Sequence, residues 1–304
     1  MLDLVVVILN YNTRELLRGC LQSLEAQTGV RFATCVVDNA SEDGSAALVA
    51  TAFPHVALIR NATNAGYAAG NNLGLLHFGF PHEPQARYAL LLNPDTVVPP
   101  DALHGLVAFA DANPNVGIVG PKLLLPDGSL DLACRRSFPT PAVSFYRLIG
   151  LSKLFPKSRR FARYNLTYLD ENEQADVDAV VGACMMVRAE AIARVGLLDE
   201  QFFMYGEDLD WCLRVKQAGY RVVYYPRVVV HHVKRAASRT SAKAQYEFQR
   251  AMWLFYRKHY RARTPWLVDK LVIAGLTARG GLKLLREIWR ERRGEVPDKR
   301  FSSA

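Results

Sequence analysis

Cysteine is scarce in this chain of 304 residues: five copies are scattered along it, and no two form a Cys-x-x-Cys pair. An odd number without that spacing argues against a disulfide framework and a structural zinc site, and it favours a reducing compartment. The uninterrupted apolar run of about 18 residues that a membrane-spanning helix needs is also missing. The apolar stretch at residues 4–9 is short and follows no basic segment, unlike a signal peptide. These absences predict a cytoplasmic protein without a membrane span.

The glycine-rich motifs of common nucleotide-binding enzymes are absent too. Gly66, Gly70 and Gly74 do not fit Gly-x-Gly-x-x-Gly, and no Gly-x-x-x-x-Gly-Lys-Ser/Thr sequence occurs. The first absence weakens an interpretation as an NAD-dependent oxidoreductase, and the second weakens a P-loop enzyme. No serine lies in a Gly-x-Ser-x-Gly elbow, so a hydrolase of that type loses its main support.

Charge is distributed unevenly in a chain whose 50% apolar and 22% charged residues are typical of a globular domain. Lysine and arginine number 38 against 29 acidic residues, a formal net charge of +9. Residues 234–304 hold 18 of the basic and 6 of the acidic residues, and residues 135–163 hold eight basic residues and no carboxylate. We therefore predict an acidic body at 1–233 with a basic insert at 134–165, followed by a basic helical extension at 234–304. This pattern argues against a uniformly basic nucleic-acid-binding protein.

Short β-branched apolar runs alternate with helical patterns through the first half of the chain. Buried strands are predicted at residues 4–9, 33–37, 56–59 and 88–92. The alternation is typical of βαβ units, so we expect an α/β fold with a mainly parallel central sheet and helices on both faces. Thr13 is expected to cap the first helix. Further strands are predicted at 177–187, 221–225 and 228–232, with Gly182 breaking the first of them.

Polar residues follow four of these strands, at the carboxyl ends where open α/β sheets bind their ligands. They are residues 10–12, 38–39, 61–72 and 93–95. The simpler explanation is that asparagine and aspartate favour turns. The recurrence at four strand ends favours one shared site.

Asp95 ends an Asn-Pro-Asp sequence at the mouth of the fourth strand. A hard divalent cation takes oxygen ligands and completes its shell with waters and substrate phosphates, so one carboxylate can hold it. The alternative is a turn that only ends the strand.

Glu207 and Asp208 begin a predicted helix with aromatic residues on both sides of the pair. Acidic residues favour helix starts because of the helix dipole, which is the structural alternative. Apolar surroundings raise the pKa of a carboxyl group, as a general base requires. His231 and His232 end a strand, where alternation sends them to opposite faces, so one of them can face the site while the other packs or is exposed.

Six segments, in this order, resemble family 2 glycosyltransferases of the GT-A fold. They are VVILNYN (6–12), VVDNASEDGS (36–45), NAGYAAGNN (64–72), LNPDT (92–96), VGACMMVR (181–188) and YGEDLDWCLR (205–214). The resemblance covers about residues 3–235, and within the family it is strongest to bacterial rhamnosyltransferase-type enzymes. It implies an inverting transfer of a sugar from a nucleotide diphosphate donor.

The resemblance assigns roles to residues at matching positions. Asp38 would contact the pyrimidine base beside Asn10 and Asn12, and the donor pocket would include Asn39, Asn64, Gly66, Gly70, Asn71 and Asn93. Asp95 would hold Mg²⁺ or Mn²⁺ with His231, although Asn93 replaces the first carboxylate of the family's Asp-x-Asp. Asp208 would be the catalytic base with Glu207 as its neighbour. The acceptor would lie near Gly182, Ala183 and Trp211.

The expected donor is dTDP-rhamnose, and the expected acceptor is a glycan or a polyprenyl-diphosphate-linked sugar used in cell-surface polysaccharide synthesis. The alternatives are another donor, such as a UDP-hexose or UDP-galactofuranose, and a non-catalytic protein that binds nucleotide-sugars. Aromatic residues are interspersed with basic ones in the insert and the extension, which suits an amphipathic surface on an anionic bilayer. An ordinary solvated helix face and a nucleic-acid site are the alternatives. We expect peripheral attachment at the cytoplasmic face of the inner membrane.

Overall fold

The computed structural model describes residues 1–233 and 242–293. Its strands are β1 (Leu2–Asn10), β2 (Phe32–Asp38), β3 (Ala57–Arg60), β4 (Ala86–Leu92), β5 (Thr96–Val97), β6 (Val116–Leu124), β7 (Ala175–Asp176), β8 (Cys184–Arg188) and β9 (Arg221–His232). Its helices are α1 (Arg14–Glu25), α2 (Ser45–Ala52), α3 (Tyr67–His77), α4 (Ala102–Ala112), α5 (Pro141–Leu148), α6 (Leu151–Leu154), α7 (Ala189–Val195), α8 (Glu207–Gln217), α9 (Ala242–His259) and α10 (Trp266–Arg292).

One central sheet organises these elements in the order β3-β2-β1-β4-β8-β6-β9-β5, with β7 paired to β9. Strands β1–β4, β6 and β9 run in one direction, and β5, β7 and β8 run in the other. Residues 4–8 of β1 are fully buried, and their apolar side chains point alternately to the two covered faces of the sheet. The predicted α/β class and mainly parallel sheet are confirmed.

The register of the first strands brings their carboxyl ends to one edge of the sheet. Asn10 at the end of β1 is the partner of Asp38 at the end of β2. On the other side of β1, Ile8 is the partner of Leu92, the last residue of β4. The polar residues that follow β1, β2 and β4 are therefore neighbours in space, as the sequence predicts.

Three local predictions need correction. Thr13 precedes α1, but its side chain caps no helix N–H; its hydroxyl donates to Asn10 Oδ1 instead, at 2.6 Å. Of the run 177–187, only residues 184–187 belong to β8, which ends at Arg188. The two short strands predicted at 221–225 and 228–232 form one strand, β9, because pairing with β6 resumes after a register shift of β9 between Tyr225 and Val229.

The basic insert is only partly a surface segment. Arg135 and Arg136 are buried, contrary to the amphipathic surface expected of the whole insert. The guanidinium group of Arg135 donates to the carbonyl oxygens of Leu169 and Asp170. The rest of the insert, which includes α5 and α6, exposes large apolar side chains: Phe145, Leu148, Ile149, Leu154 and Phe155.

The described part of the basic extension packs on the body. Leu254 and Phe255 of α9 join the main hydrophobic core. A second cluster joins α9 to α10 through Trp253, Tyr256, Leu284 and Ile288. The expected helical character is confirmed for 242–293, and the rest of the 234–304 extension lies outside the described residues.

Ion pairs tie α9 to α8 at a fully buried carboxylate, Asp210. Its side chain pairs with Arg214 on α8 and with Lys258 and His259 on α9. Burial alone would raise the pKa of Asp210, but the hydrogen bond with His259 and the charges of Arg214 and Lys258 lower it to about 2. The buried charge is thus compensated from two helices.

All five cysteines are free and buried, and burial raises the pKa of each thiol. Over residues 1–233 and 242–293, no helix has the length and apolar character needed to cross a membrane.

Candidate active site

A buried carboxylate, Asp38, ends β2 beside the end of β1. Asn10 Nδ2 donates to Asp38 Oδ1 at 3.0 Å, and the Ser41 N–H donates to Oδ2 at 3.1 Å. Asn10 is fully buried, so this pair is fixed by the sheet rather than by a mobile loop. Asn12 holds the neighbouring turn, since its Oδ1 accepts from the Glu42 N–H at 2.8 Å and its own N–H donates to Ser41 Oγ.

Asparagines organise the loop between β3 and α3. Asn39 donates to Asn64 Oδ1 at 2.8 Å, and its own Oδ1 accepts from Asn61 and from the Ala65 N–H. The loop then reaches Gly66, whose φ of 85° favours glycine and where a Cβ would lie 2.5 Å from the Phe203 carbonyl oxygen. The close approach of these two segments depends on this glycine.

Gly70 and Asn71 have roles other than the expected donor contacts. A Cβ on Gly70 would lie 2.3 Å from a methyl carbon of Leu9, so Gly70 lets α3 pack closely on β1. Asn71 is buried, and its side-chain amide donates to the Tyr67 carbonyl one turn earlier in α3. The structure therefore corrects their placement: Gly70 lies in the packing of α3 against the sheet, and the Asn71 amide bonds its own helix.

Asp95 follows β4 and faces a histidine at the end of β9. Its Oδ1 lies 3.3 Å from His232 Nε2, and the Nδ1 of the same ring lies 2.9 Å from Asp131 Oδ2. Burial alone would lower the pKa of His232, but its hydrogen bonds with Asp131 and Asp95 raise it above the usual value. His232 is buried, and Asp95 remains partly exposed. Asn93, two residues before Asp95, is half-buried and bonds the Ala183 carbonyl through its backbone N–H.

The expectation that His231 faces Asp95 is wrong in its choice of histidine. The sequence predicts opposite faces for the two rings, and the structure exposes His231 and buries His232. The signal for the correct choice lay in the strand itself. Arg227 shares the alternation of His231 and is exposed, which marks that face as the solvent side.

Asp95 and His232 suit a divalent cation that shares its ligands with a substrate. Across the described ranges, no three His, Cys, Asp or Glu side chains form a closed metal cluster. A carboxylate oxygen and an imidazole nitrogen at one partly open position fit Mn²⁺ or Mg²⁺, which fill their shells with waters and phosphate oxygens. The residues present therefore fit the metal that the sequence implies.

Asp208 lies in the first turn of α8 and forms a buried ion pair with Arg136. Arg136 Nη2 lies 2.6 Å from Asp208 Oδ2, and the Gly182 N–H donates to the same oxygen at 3.2 Å. The Leu209 N–H donates to Oδ1. The sequence did not indicate Arg136, which is 72 positions away from Asp208 and stood out only as one member of a basic run.

Glu207 differs from its neighbour in the surroundings of its carboxyl group. Its Oε2 is buried and has no hydrogen-bond partner in the part of the chain that the structure describes. Burial first, and then the charge of Asp208, raise the pKa of Glu207 to about 8. The sequence led us to expect a raised pKa in this pair, and Glu207 has one.

Tyr67 lies among the carboxylates at the centre of the site. Its hydroxyl donates to the Gly182 carbonyl at 2.8 Å. Burial raises the pKa of Tyr67, and the charges of Glu207, Asp208 and Asp95 raise it further. The charges of three carboxylates therefore act on one phenol, which the sequence analysis missed.

The predicted acceptor residues divide into two groups. Gly182 and Ala183 connect Asp208 to the segment of Asp95, because the Gly182 N–H donates to Asp208 and the Ala183 carbonyl accepts from the Asn93 N–H at 2.9 Å. Trp211 is fully buried, and its indole N–H donates to the Gly196 carbonyl. The expected contact of Trp211 with the acceptor is therefore wrong, since its side chain belongs to the core.

The sequence that forms this site matches a known protein family over more than half of the chain. Residues 5–196 match the family described as "Glycosyl transferase family 2". The chain is a family 2 glycosyltransferase. The segments that carried the resemblance in the sequence belong mostly to this matched region, and α8 with Glu207 and Asp208 follows it.

Two curated glycosyltransferases illustrate the similarity. The N-acetylglucosaminyl-diphospho-decaprenol L-rhamnosyltransferase of Mycobacterium tuberculosis is 27% identical over 303 residues, which cover 96% of either chain. The rhamnosyltransferase WbbL of Escherichia coli is 28% identical over 182 residues, covering 56% of this chain and 63% of WbbL.

A solved glycosyltransferase structure has the same fold. The mannosyltransferase PcManGT from Pyrobaculum calidifontis, in complex with GDP-Man and Mn²⁺, aligns with a TM-score of 0.57 at 18% identity. The alignment covers 98% of this chain and 83% of that one. The GT-A fold expected from the sequence is confirmed.

Proposed function

We propose that the enzyme transfers L-rhamnose, with inversion, from dTDP-rhamnose to a sugar linked to a polyprenyl diphosphate in cell-surface polysaccharide synthesis. The observation that carries the proposal is the link between Asp208 and the segment of Asp95: the Gly182 N–H donates to Asp208, and the adjacent Ala183 carbonyl accepts from the Asn93 N–H, at the sheet edge where Asp38 also lies. Nucleotide, leaving group and acceptor each need a polar group there. The choice of sugar and acceptor is supported by the mycobacterial relative named above.

Donor binding is assigned to the edge formed by β1, β2 and β4. Asp38 is held in place by Asn10 and can accept an N–H from a pyrimidine ring. Asp95 and His232 would hold Mg²⁺ or Mn²⁺, which would offset the negative charge that develops on the departing diphosphate. The Mn²⁺ in the PcManGT structure supports this assignment.

Asp208 is assigned as the general base that removes the proton of the acceptor hydroxyl. Its Oδ2 is held in place by Arg136 and by the Gly182 N–H. The neighbouring Glu207 is buried, and burial and the charge of Asp208 raise its pKa, so we assign it as the neighbour of the base and not as the base. A single base, with no nucleophile from the protein, makes the acceptor attack the face opposite the leaving group, which inverts the sugar centre.

A donor screen followed by product analysis tests this function. The melting temperature is measured with dTDP-, UDP- and GDP-sugars, each with and without Mn²⁺. We expect the largest increase with dTDP-rhamnose and Mn²⁺, since binding to the native state stabilises it. Mass spectrometry should then show one added deoxyhexose on a polyprenyl-diphosphate-linked N-acetylglucosamine.

The outcomes of this screen separate the alternatives. A larger increase with a UDP-hexose or UDP-galactofuranose would replace the proposed donor. Tight binding of a nucleotide-sugar that is never consumed with any acceptor would contradict transfer and indicate a binding protein.

We also propose that the enzyme attaches peripherally to the cytoplasmic face of the inner membrane through an apolar-basic surface. This surface consists of α5, α6 and the first half of α10, where Leu148 lies 3.8 Å from the position of a Cβ on Gly275. It exposes Phe145, Leu154, Phe155, Trp266, Leu267 and Leu271. Exposed basic residues lie among them: Lys153, Lys157, Arg159 and Lys270. Apolar side chains surrounded by cations match an anionic lipid headgroup layer.

Vesicle flotation tests the attachment. The protein should float with mixed phosphatidylcholine and phosphatidylglycerol vesicles, and much less with phosphatidylcholine alone. Trp266→Ser combined with Leu271→Ser should weaken binding by about tenfold or more, since it removes apolar groups that enter the interface. Leu76→Ser is the control, because Leu76 is an exposed apolar residue on α3, a helix that is not part of the apolar-basic surface. Equal flotation of the double variant and wild type would contradict the assigned surface.

A further inference from the structure

Asp131 contacts His232, the histidine that faces the metal position, from the side of the ring opposite Asp95. It lies after β6, 101 positions before His232, and is buried. Asp131 Oδ2 is 2.9 Å from Nδ1, and Asp95 Oδ1 is 3.3 Å from Nε2. The two carboxylates thus approach different nitrogens of one imidazole.

The hydrogen-bonding chemistry of a carboxylate and an imidazole distinguishes Nδ1 from Nε2 of His232. An ionised carboxylate only accepts hydrogen bonds, and a neutral imidazole has one N–H and one lone pair. A carboxylate at Nδ1 therefore selects the tautomer that has its proton on Nδ1. In that tautomer the lone pair on Nε2 points toward Asp95, where a cation would be held.

Asp131 is itself well held, as an orienting group must be. Its Oδ1 accepts from the Ala133 N–H at 3.1 Å, and its backbone N–H donates to the Leu123 carbonyl at 2.8 Å. The Cys134 N–H donates to its backbone carbonyl. Oδ2 is the carboxylate oxygen that contacts His232.

We propose that Asp131 is a positioning residue that fixes the orientation and tautomer of His232, so that Nε2 can bind the divalent cation beside Asp95. This inference rests on the metal role proposed above for Asp95 and His232. It adds a third residue to the site, one that touches neither the cation nor the substrate.

Asp131→Asn tests the inference with a minimal change of shape. The Ala133 N–H still needs an acceptor, so the oxygen of the new side-chain amide stays there and its NH₂ group faces His232 Nδ1. A donor at that point favours the opposite tautomer, with the proton on Nε2. Mn²⁺ affinity in the presence of dTDP, measured by electron paramagnetic resonance, should fall about 10- to 100-fold.

The tautomer provides a readout independent of catalysis. Nitrogen NMR of histidine-labelled protein, recorded with diamagnetic Mg²⁺ and dTDP so that the ring is neutral, should show the His232 proton on Nδ1 in wild type and on Nε2 in Asp131→Asn. Asp127→Asn is the matched control, because Asp127 is exposed in the same loop and accepts from the Ser129 N–H in the same way. It should change neither the affinity nor the tautomer.

The Asp95→Asn variant distinguishes a failure of the proposed metal site from a failure of the positioning role of Asp131. If wild type and Asp95→Asn bind Mn²⁺ with dTDP equally, the proposed metal site fails. If Asp95→Asn loses affinity while Asp131→Asn keeps both the wild-type affinity and the Nδ1 tautomer, the positioning role of Asp131 is overturned and Asp131 only caps the turn at 132–134. A loss of affinity with the tautomer unchanged also contradicts it.

Discussion

Replacing Asp208 by asparagine is expected to lower kcat for sugar transfer by about 10²- to 10⁴-fold, the range that general base catalysis contributes. The asparagine side chain fits the same space but cannot accept the proton of the attacking hydroxyl. The nucleotide contact proposed for Asp38 and the metal position proposed for Asp95 are on other elements, so the dissociation constant of the donor should stay near the wild-type value. Kinetics and calorimetry on the same preparation measure the two quantities.

Stability needs its own measurement in this variant. Asp208→Asn leaves the buried guanidinium of Arg136 without its carboxylate, which destabilises the fold. Retained donor binding shows that the protein is still folded at the assay temperature. Turnover near the wild-type rate would remove Asp208 from the base assignment.

Asp210→Asn is expected to lower the free energy of unfolding by about 3 kcal/mol, the lower end of the range for breaking a buried ion pair. The lower end applies because Lys258 and Arg214 still reach solvent and can be hydrated in the variant. Thermal and denaturant unfolding measure the change. Since α8 also begins with Glu207 and Asp208, the variant should show a reduced kcat as well.

The pH dependence of stability gives a second readout for Asp210. Its pKa is lowered in the folded state, so the stabilisation is present above the ordinary carboxyl pKa of 3.8 and is lost as the pH falls toward about 2. Asp176→Asn is the matched control, since Asp176 forms an exposed pair with Arg221 and should change stability by less than about 1 kcal/mol. Equal effects of the two substitutions would contradict the special role of the buried pair.

The sequence predicted β1–β4, β8 and β9 because each contains a short apolar run bounded by polar residues, but it missed β6 and the two-residue strands β5 and β7. It did not predict that residues 221–232 form one strand. Pairing with β6 resumes there after a register shift of β9, and a local pattern contains no information about the partner strand. The sequence did not predict the packing of α9 on the core for a similar reason. The amphipathic pattern of a helix does not specify which surface its apolar side contacts.

The general position of the site followed from a rule about sheet edges, and the identities of its contacts did not. Asp38 and Asp95 lie where the strand ends placed them. The resemblance placed Trp211 near the acceptor, whereas its side chain lies on the buried face of α8, because the order of residues in a motif does not show which side chains the core takes. Arg136 and Asp131 reach the site from the loop after β6, and such contacts between distant segments have no periodic signature.

The five buried cysteines have a practical consequence for studying how this enzyme meets lipid. A maleimide dye reacts with thiolates that it can reach, and the native thiols of the folded chain are enclosed, with their pKa values raised. A single engineered thiol, such as Leu154→Cys on α6, would therefore be labelled selectively in the wild-type background. Its fluorescence would report how deeply that helix enters a bilayer.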